Sequence, residues 1–228
     1  MKTLYLTLAV LALLVASLMT TTRGKDPGVD EYGKEVFLEG TIREYPHGIL
    51  EVDYGTNPQG QRVYRQFLLV DGAKGGAGPL IQGLDGQKAR IRGTMIYRAN
   101  LAVLETFEVE DLEEPGPPAT AVLEQGPVVL EGEIVDTKCA CGRMKPGSGV
   151  AHRECAIRCI RGGIPPTLKV RQAEGDDHFY LLENLEGQAV HDDVLPWVAD
   201  PIRIPGTLFR RGSLEVLRFD PLEVEPLL

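Results

Sequence analysis

Four cysteines and one histidine crowd into a single stretch of this 228-residue chain, Gly132 to Pro166. Cys139 and Cys141 come first, followed by His152, Cys155 and Cys159. If VAHRECAIRCIR, around 150–161, is helical, His152, Cys155 and Cys159 fall on one face, turn upon turn. Gly162–Gly163 provides a C-terminal cap, and Pro165–Pro166 forbids the helix to continue. Cys139 and Cys141 end the preceding strand, where alternate residues point to opposite faces. Only one of that pair therefore meets the helix unless the chain turns at Ala140.

Three chemistries fit these residues. Cys139, His152, Cys155 and Cys159 make the three-cysteine, one-histidine donor set that zinc favours, with iron as the other candidate metal. Four neighbouring cysteines in an oxidising compartment instead form disulfides, with three possible connectivities. A Cys139–Cys159 bridge would close a loop of about 20 residues and contribute about 3 kcal/mol. A redox-active thiol pair is the third option. Around them lie Lys138, Arg143, Lys145, Arg153, Arg158 and Arg161, with Lys169 and Arg171 beyond and only Glu154 opposing. This basic island would dock an acidic partner or anion, or lower the thiol pKa values, or simply form a solvated rim.

The pattern G-x-I-V-D-[ST]-x-C (Gly132 to Cys139), then M-x-P-G (Met144 to Gly147), then H-R-x-C-A-x-x-C-I-x-G-G-I-P-P (His152 to Pro166) resembles an uncharacterised bacterial family of secreted or membrane-anchored proteins with OB-like domains. The resemblance implies an OB-like domain with Cys139, His152, Cys155 and Cys159 as the motif positions, and no established activity. Cys141 departs from the family pattern. It could supply the partner for a thiol otherwise left unpaired.

The elements that must position this stretch come from the rest of the chain. Residues 1–23 read as a signal anchor or transmembrane helix: Lys2 leads into an uncharged apolar run from 4 to 19, and no A-x-A cleavage site follows. The body is then expected on the extracytoplasmic (periplasmic) face of a membrane, or secreted if the segment is cleaved. Residues 24–35 read as a juxtamembrane stalk. Strand-like runs fill 36–112, including two joined by a turn at Ala99–Asn100. The proline-rich stretch 113–127 reads as a linker.

After it the pattern restarts. VFLEGTI (36–42) matches VVLEGEI (128–134), and RIRGTMIYRANLAVLE (90–105) matches RIPGTLFRRGSLEVLR (203–218). Gly40 thus corresponds to Gly132 and Gly93 to Gly206. The second copy is longer between these landmarks, and the cysteine stretch lies in the longer interval. Short strands with glycines inside them predict a mainly β chain of two tandem OB-like barrels, 36–112 and 128–228, with a β-sandwich as the alternative.

Other signals are weaker. GAKGGAGP (72–79) lacks the Gly-Lys-Ser/Thr ending of a phosphate loop and reads as a mobile turn. His191-Asp192-Asp193 reads as a polar loop and Trp197 as core, while His47 and His178 have no evident partner. A net charge of −9 argues against a nucleic-acid binder. No Ser/His/Asp arrangement or carboxylate pair supports a hydrolase. The sequence therefore points to a non-enzymatic accessory or binding subunit, tethered beside a protein partner in a membrane complex with electron transfer as one setting. Metal or thiol-redox chemistry, and oligosaccharide or oligonucleotide binding on a barrel face, are the alternatives.

Overall fold

The structure, a computed structural model, describes residues 26–227; the anchor segment expected at 1–23 lies outside them. Among the described residues no helix is long and apolar enough to cross a membrane. The fold is mainly β. Strands β1 (Val29–Arg43), β2 (Ile49–Thr56), β3 (Arg62–Val70), β4 (Gln87–Arg98) and β5 (Leu101–Pro115) close into a barrel in the order β1-β2-β3-β5-β4. A one-turn helix, α1 (Gly78–Ile81), connects β3 to β4. The second sheet holds β6 (Val122–Asp136), β7 (Pro166–Val170), β8 (His178–Glu183), β9 (Pro201–Arg211), β10 (Leu214–Arg218) and a short edge strand β11 (Glu225–Pro226). Because β10 pairs with both β8 and β9, this sheet also returns on itself. The closed first barrel is consistent with the OB-like expectation and not with the β-sandwich.

The two halves repeat strand for strand and in register. Val36 faces Gly93 across β1–β4, and Val128 faces Gly206 across β6–β9. The parallel closing pair sets Leu68 beside Val103 in the first half and Leu181 beside Val216 in the second. A Cβ on Gly40 would stand 2.5 Å from the Glu51 carbonyl oxygen, and one on Gly132 would stand 2.5 Å from that of Lys169. Both distances are far inside van der Waals contact, so each barrel needs a bare backbone where its first two strands press together. Alternation along β4 does the rest. Ala89 and Ile91 go inward, while Arg90 pairs outward with Glu39 and Glu110, and Arg92 with Glu35 and Glu108.

Strands reach into the segments read as stalk and linker. β1 begins at Val29, β5 runs to Pro115 and β6 begins at Val122. The residues between β5 and β6 are fastened to the first barrel: Arg43 donates to the Pro117 carbonyl at 2.7 Å and the Thr120 amide to Glu51 at 3.3 Å. The barrels share a buried seam. Ile49, Leu68, Val70, Ile96 and Val103 of the first pack in one apolar cluster with Val135, Ile164, Phe179 and Val216 of the second. Polar stitches edge it. Gln66 exchanges hydrogen bonds with Ser213, and the Asn100 side chain pairs with both backbone polar groups of Phe179, like one more strand residue.

The expected helix forms as a 3₁₀ turn, Val150–His152, running into α2 (Arg153–Arg161), and Gly162 donates back to the Arg158 carbonyl to end it. It occupies the connection between β6 and β7. The β3–β4 position, where the first barrel has α1, carries in the second only a 3₁₀ turn, Leu195–Trp197. Trp197 there is half-buried against the second barrel's core.

Candidate metal centre

At the end of β6 the chain does not continue straight. The Asp136 carboxylate accepts the Cys139 amide at 2.8 Å, capping a tight π-type turn over Cys139–Arg143. That turn sends the two nearby cysteines different ways. Cys139 points to α2, which presents Cys155 and Cys159 one turn apart. The three sulfurs lie within 4.8 Å of one another. Cys141 is fully buried elsewhere in the seam and is not a member of the group, contrary to its inclusion among the sequence candidates. All four cysteines are free thiols, so the disulfide framework anticipated for this loop is not present. Strand alternation already let only one of the first pair meet the helix, and the winding of the turn makes that one Cys139.

His152 joins the site from the other side. Its Nε2 lies 3.3 Å from Asp136 Oδ2, and Asp136, Cys139 and His152 bring one donor atom each within 4.8 Å of one another. Cys139 belongs to both sets. The expected four-donor group of Cys139, His152, Cys155 and Cys159 is thus divided: His152 reaches Cys139 but does not share a group with Cys155 and Cys159. Asp136, fully buried, completes the second set. It stands in the motif Gly132–Cys139, three residues before the first cysteine, and its fixed place there was the available signal.

The first barrel supplies a further residue that the sequence hid. Lys74, in the glycine-rich 72–79 loop, donates to Cys155 Sγ at 2.9 Å and lies 4.0 Å from Cys159 Sγ. This loop is held rather than mobile. The Gly76 amide donates to the Gly162 carbonyl at 2.9 Å, and a Cβ on Gly76 would stand 2.2 Å from the Gly163 carbonyl oxygen. Two glycine-rich segments far apart in sequence therefore exist for each other, and their contact sets Lys74 over the thiols.

Electrostatics separate the sulfurs. A hydrogen bond from Cys139, aided by the Lys74 ammonium, pulls Cys159 down to about 7 against the opposing effect of burial. The same bond pushes Cys139 far up, with burial and Asp136 adding to it. Burial raises Cys141, an inert thiol. Hydrogen bonding to Cys155 raises Lys74, which therefore stays an ammonium.

The basic island divides in two. Lys138 is buried, pairs with Glu105 at 2.8 Å and donates to the carbonyls of Asp71 and Ala73 at 2.7 and 2.8 Å. Burial lowers its pKa, yet three acceptors around one nitrogen are the geometry of a charged amine, and we read it as charged. Arg143 pairs with Asp30 and Glu105, Arg153 with Asp200, and Lys169 with Glu133. These four side chains are committed to internal partners, so they do not form a docking face. Lys145, Arg158, Arg161 and Arg171 are exposed.

The remaining histidines have partners after all. His47 packs edge-on to His191, ring centroids 5.5 Å apart, with its Nε2 3.3 Å from the Leu182 carbonyl. Burial first, then His191, pushes His47 down to about 3. His178 pairs with Glu215.

No family model matches the chain, and no curated protein matches it. Among solved structures, the chain is similar to a deletion variant of the single-stranded DNA binding protein from Thermus aquaticus. That likeness has 16% identity, covers 88% of this chain and 95% of that one, and has a TM-score of 0.25, too low to bear on fold or ligand.

Proposed function

We propose that this is a non-enzymatic accessory protein, tethered on the extracytoplasmic face of a membrane, that holds a thiophilic divalent metal ion, zinc first and iron second, at the seam between its two barrels. The observation that carries the proposal is the convergence of Cys139, Cys155 and Cys159, all free, within 4.8 Å of one another. Soft thiolates select zinc or iron over hard cations. Three protein donors leave a fourth position for water or for a ligand from a partner. The Lys74 ammonium beside Cys155 offsets the surplus negative charge that three thiolates leave around a divalent ion. The apolar run from 4 to 19 supports the tether, and exposed Lys145, Arg158, Arg161 and Arg171 support an acidic protein partner.

The test is elemental analysis of the reduced full-length protein after dialysis from zinc. Zinc retained by the wild type and diminished in Cys159→Ser is the expected result. A metal-free wild type with intact thiols would remove the proposal. The tether is tested separately by fractionation: the chain should need detergent for release, and appearance in the soluble fraction without it would refute that half.

A further inference from the structure

The seam carries more donors than one ion takes. Asp136, Cys139 and His152 are all buried, and each offers an atom within 4.8 Å of the others. Bonds of about 2.0 to 2.3 Å to one tetrahedral zinc put its ligand atoms roughly 3 to 4 Å apart. One ion must therefore draw its donors from one compact group. Cys155 and Cys159 form such a group with Cys139, and Asp136 and His152 form another with the same Cys139, but the five do not make a single group. Cys139 is the shared vertex. A thiolate that binds one metal ion keeps lone pairs and can bridge to a second.

Local structure supports that placement. The Asp136 carboxylate has two separate tasks: one oxygen accepts the Cys139 amide at 2.8 Å, and the other faces His152 Nε2 at 3.3 Å. The first bond fixes the bridging residue relative to its carboxylate, as a supporting hydrogen bond fixes a metal ligand. The second brings an imidazole nitrogen and a carboxylate oxygen side by side, as two donors on one ion must be. Three thiolates and one carboxylate carry four negative charges, which two divalent cations offset in a largely buried seam with the Lys74 ammonium at its half-exposed Cys155 edge.

We propose that the seam binds two thiophilic divalent ions bridged by the Cys139 thiolate, one also held by Cys155 and Cys159 and the other by Asp136 and His152. This rests on the metal reading above and extends it from one ion to a dinuclear centre. Each ion has three protein donors and one open position.

Metal-free, reduced full-length protein is titrated with zinc, and bound metal is measured by equilibrium dialysis with elemental analysis. The wild type is expected to bind two equivalents, and His152→Ala and Cys155→Ser one each. X-ray absorption of the loaded wild type should show a metal–metal distance of about 3.5 to 4 Å. One equivalent in the wild type overturns the second ion while leaving the single-ion reading standing, whereas none overturns both. Two equivalents without a metal–metal distance overturn the bridge. The decisive stoichiometry is the wild type's, so a variant that fails to fold does not blunt the test.

Discussion

Between its first and second strands the amino-terminal barrel uses only residues 44–48, whereas the carboxy-terminal barrel uses 137–165, and the π turn, the thiols and α2 all sit in that one connection. The ladders on either side match in register. The barrels also differ in charge at matched positions. Glu51 of β2 is matched by Lys169 of β7, and Glu105 of β5 by Arg218 of β10. The groove beside β1 and β2 is lined by Glu39, Glu51 and Asp53 with Lys88; its counterpart has Lys169 and Arg171 with Glu131 and Glu133. One barrel framework thus serves two roles. The second carries the donors, and the first closes over them with Lys74 and with Glu105, which neutralises Lys138 and Arg143 beneath the site.

The largest effect expected is at that last contact. Glu105→Ala leaves the buried Lys138 ammonium without a carboxylate and half-buried Arg143 with Asp30 alone, and should cost about 3 to 5 kcal/mol in urea unfolding. At the matching position, Arg218→Met should cost less, because Arg211 also stands 3.3 Å from Glu183, the carboxylate that Arg218 serves. Equal costs would break the asymmetry between the barrels.

Next come the strand glycines. Gly40→Ala and Gly132→Ala should each lose about 3 kcal/mol, because each Cβ would meet a carbonyl oxygen at 2.5 Å. Their costs should agree within about 1 kcal/mol. A wide divergence would show that the two barrels are not mechanically equivalent.

A smaller effect concerns pH. His47 titrates near 3 when folded and at its ordinary value of 6.5 when unfolded. As pH falls below 6.5 the unfolded chain takes up the proton first, so stability declines from there and the loss is complete only below about pH 3. From pH 7 to pH 5 this amounts to about 2 kcal/mol. His47→Gln should flatten that slope, with His191, also lowered by burial, leaving a residue of it. An unchanged slope would place the loss elsewhere.

The smallest effect isolates what the first barrel lends to the thiols. Lys74→Met should slow iodoacetamide alkylation of Cys159 at pH 7 about 3- to 10-fold, read from the pH–rate profile. An unaltered profile would make Lys74 a bystander.

Much of the fold was legible because periodicity and glycine placement are local. The matched runs 36–42 and 128–134, and the Gly40/Gly132 pair, announced the duplication, and Gly162–Gly163 announced the helix end. The site was only half legible. Helical spacing put Cys155 and Cys159 together, but whether Cys139 or Cys141 joined them depended on a turn capped by Asp136, and no propensity specifies that turn. Lys74 was invisible for a different reason: it comes from the other barrel, and long-range packing between two glycine loops leaves no periodic trace. The basic island misled because sequence counts charges without their partners. Lys138 and Arg143 are spent on Glu105, which lies outside the island.

The most direct test of the metal centre is peptide-mapped alkylation of the reduced full-length chain, with and without zinc. Zinc should protect Cys155 and Cys159 together, and a chelator should release both, while Cys139 and Cys141, both buried thiols, stay slow in both states. Recovery of the cysteines as disulfide pairs, or alkylation of Cys155 and Cys159 at the same rate with and without zinc, would contradict the centre described above.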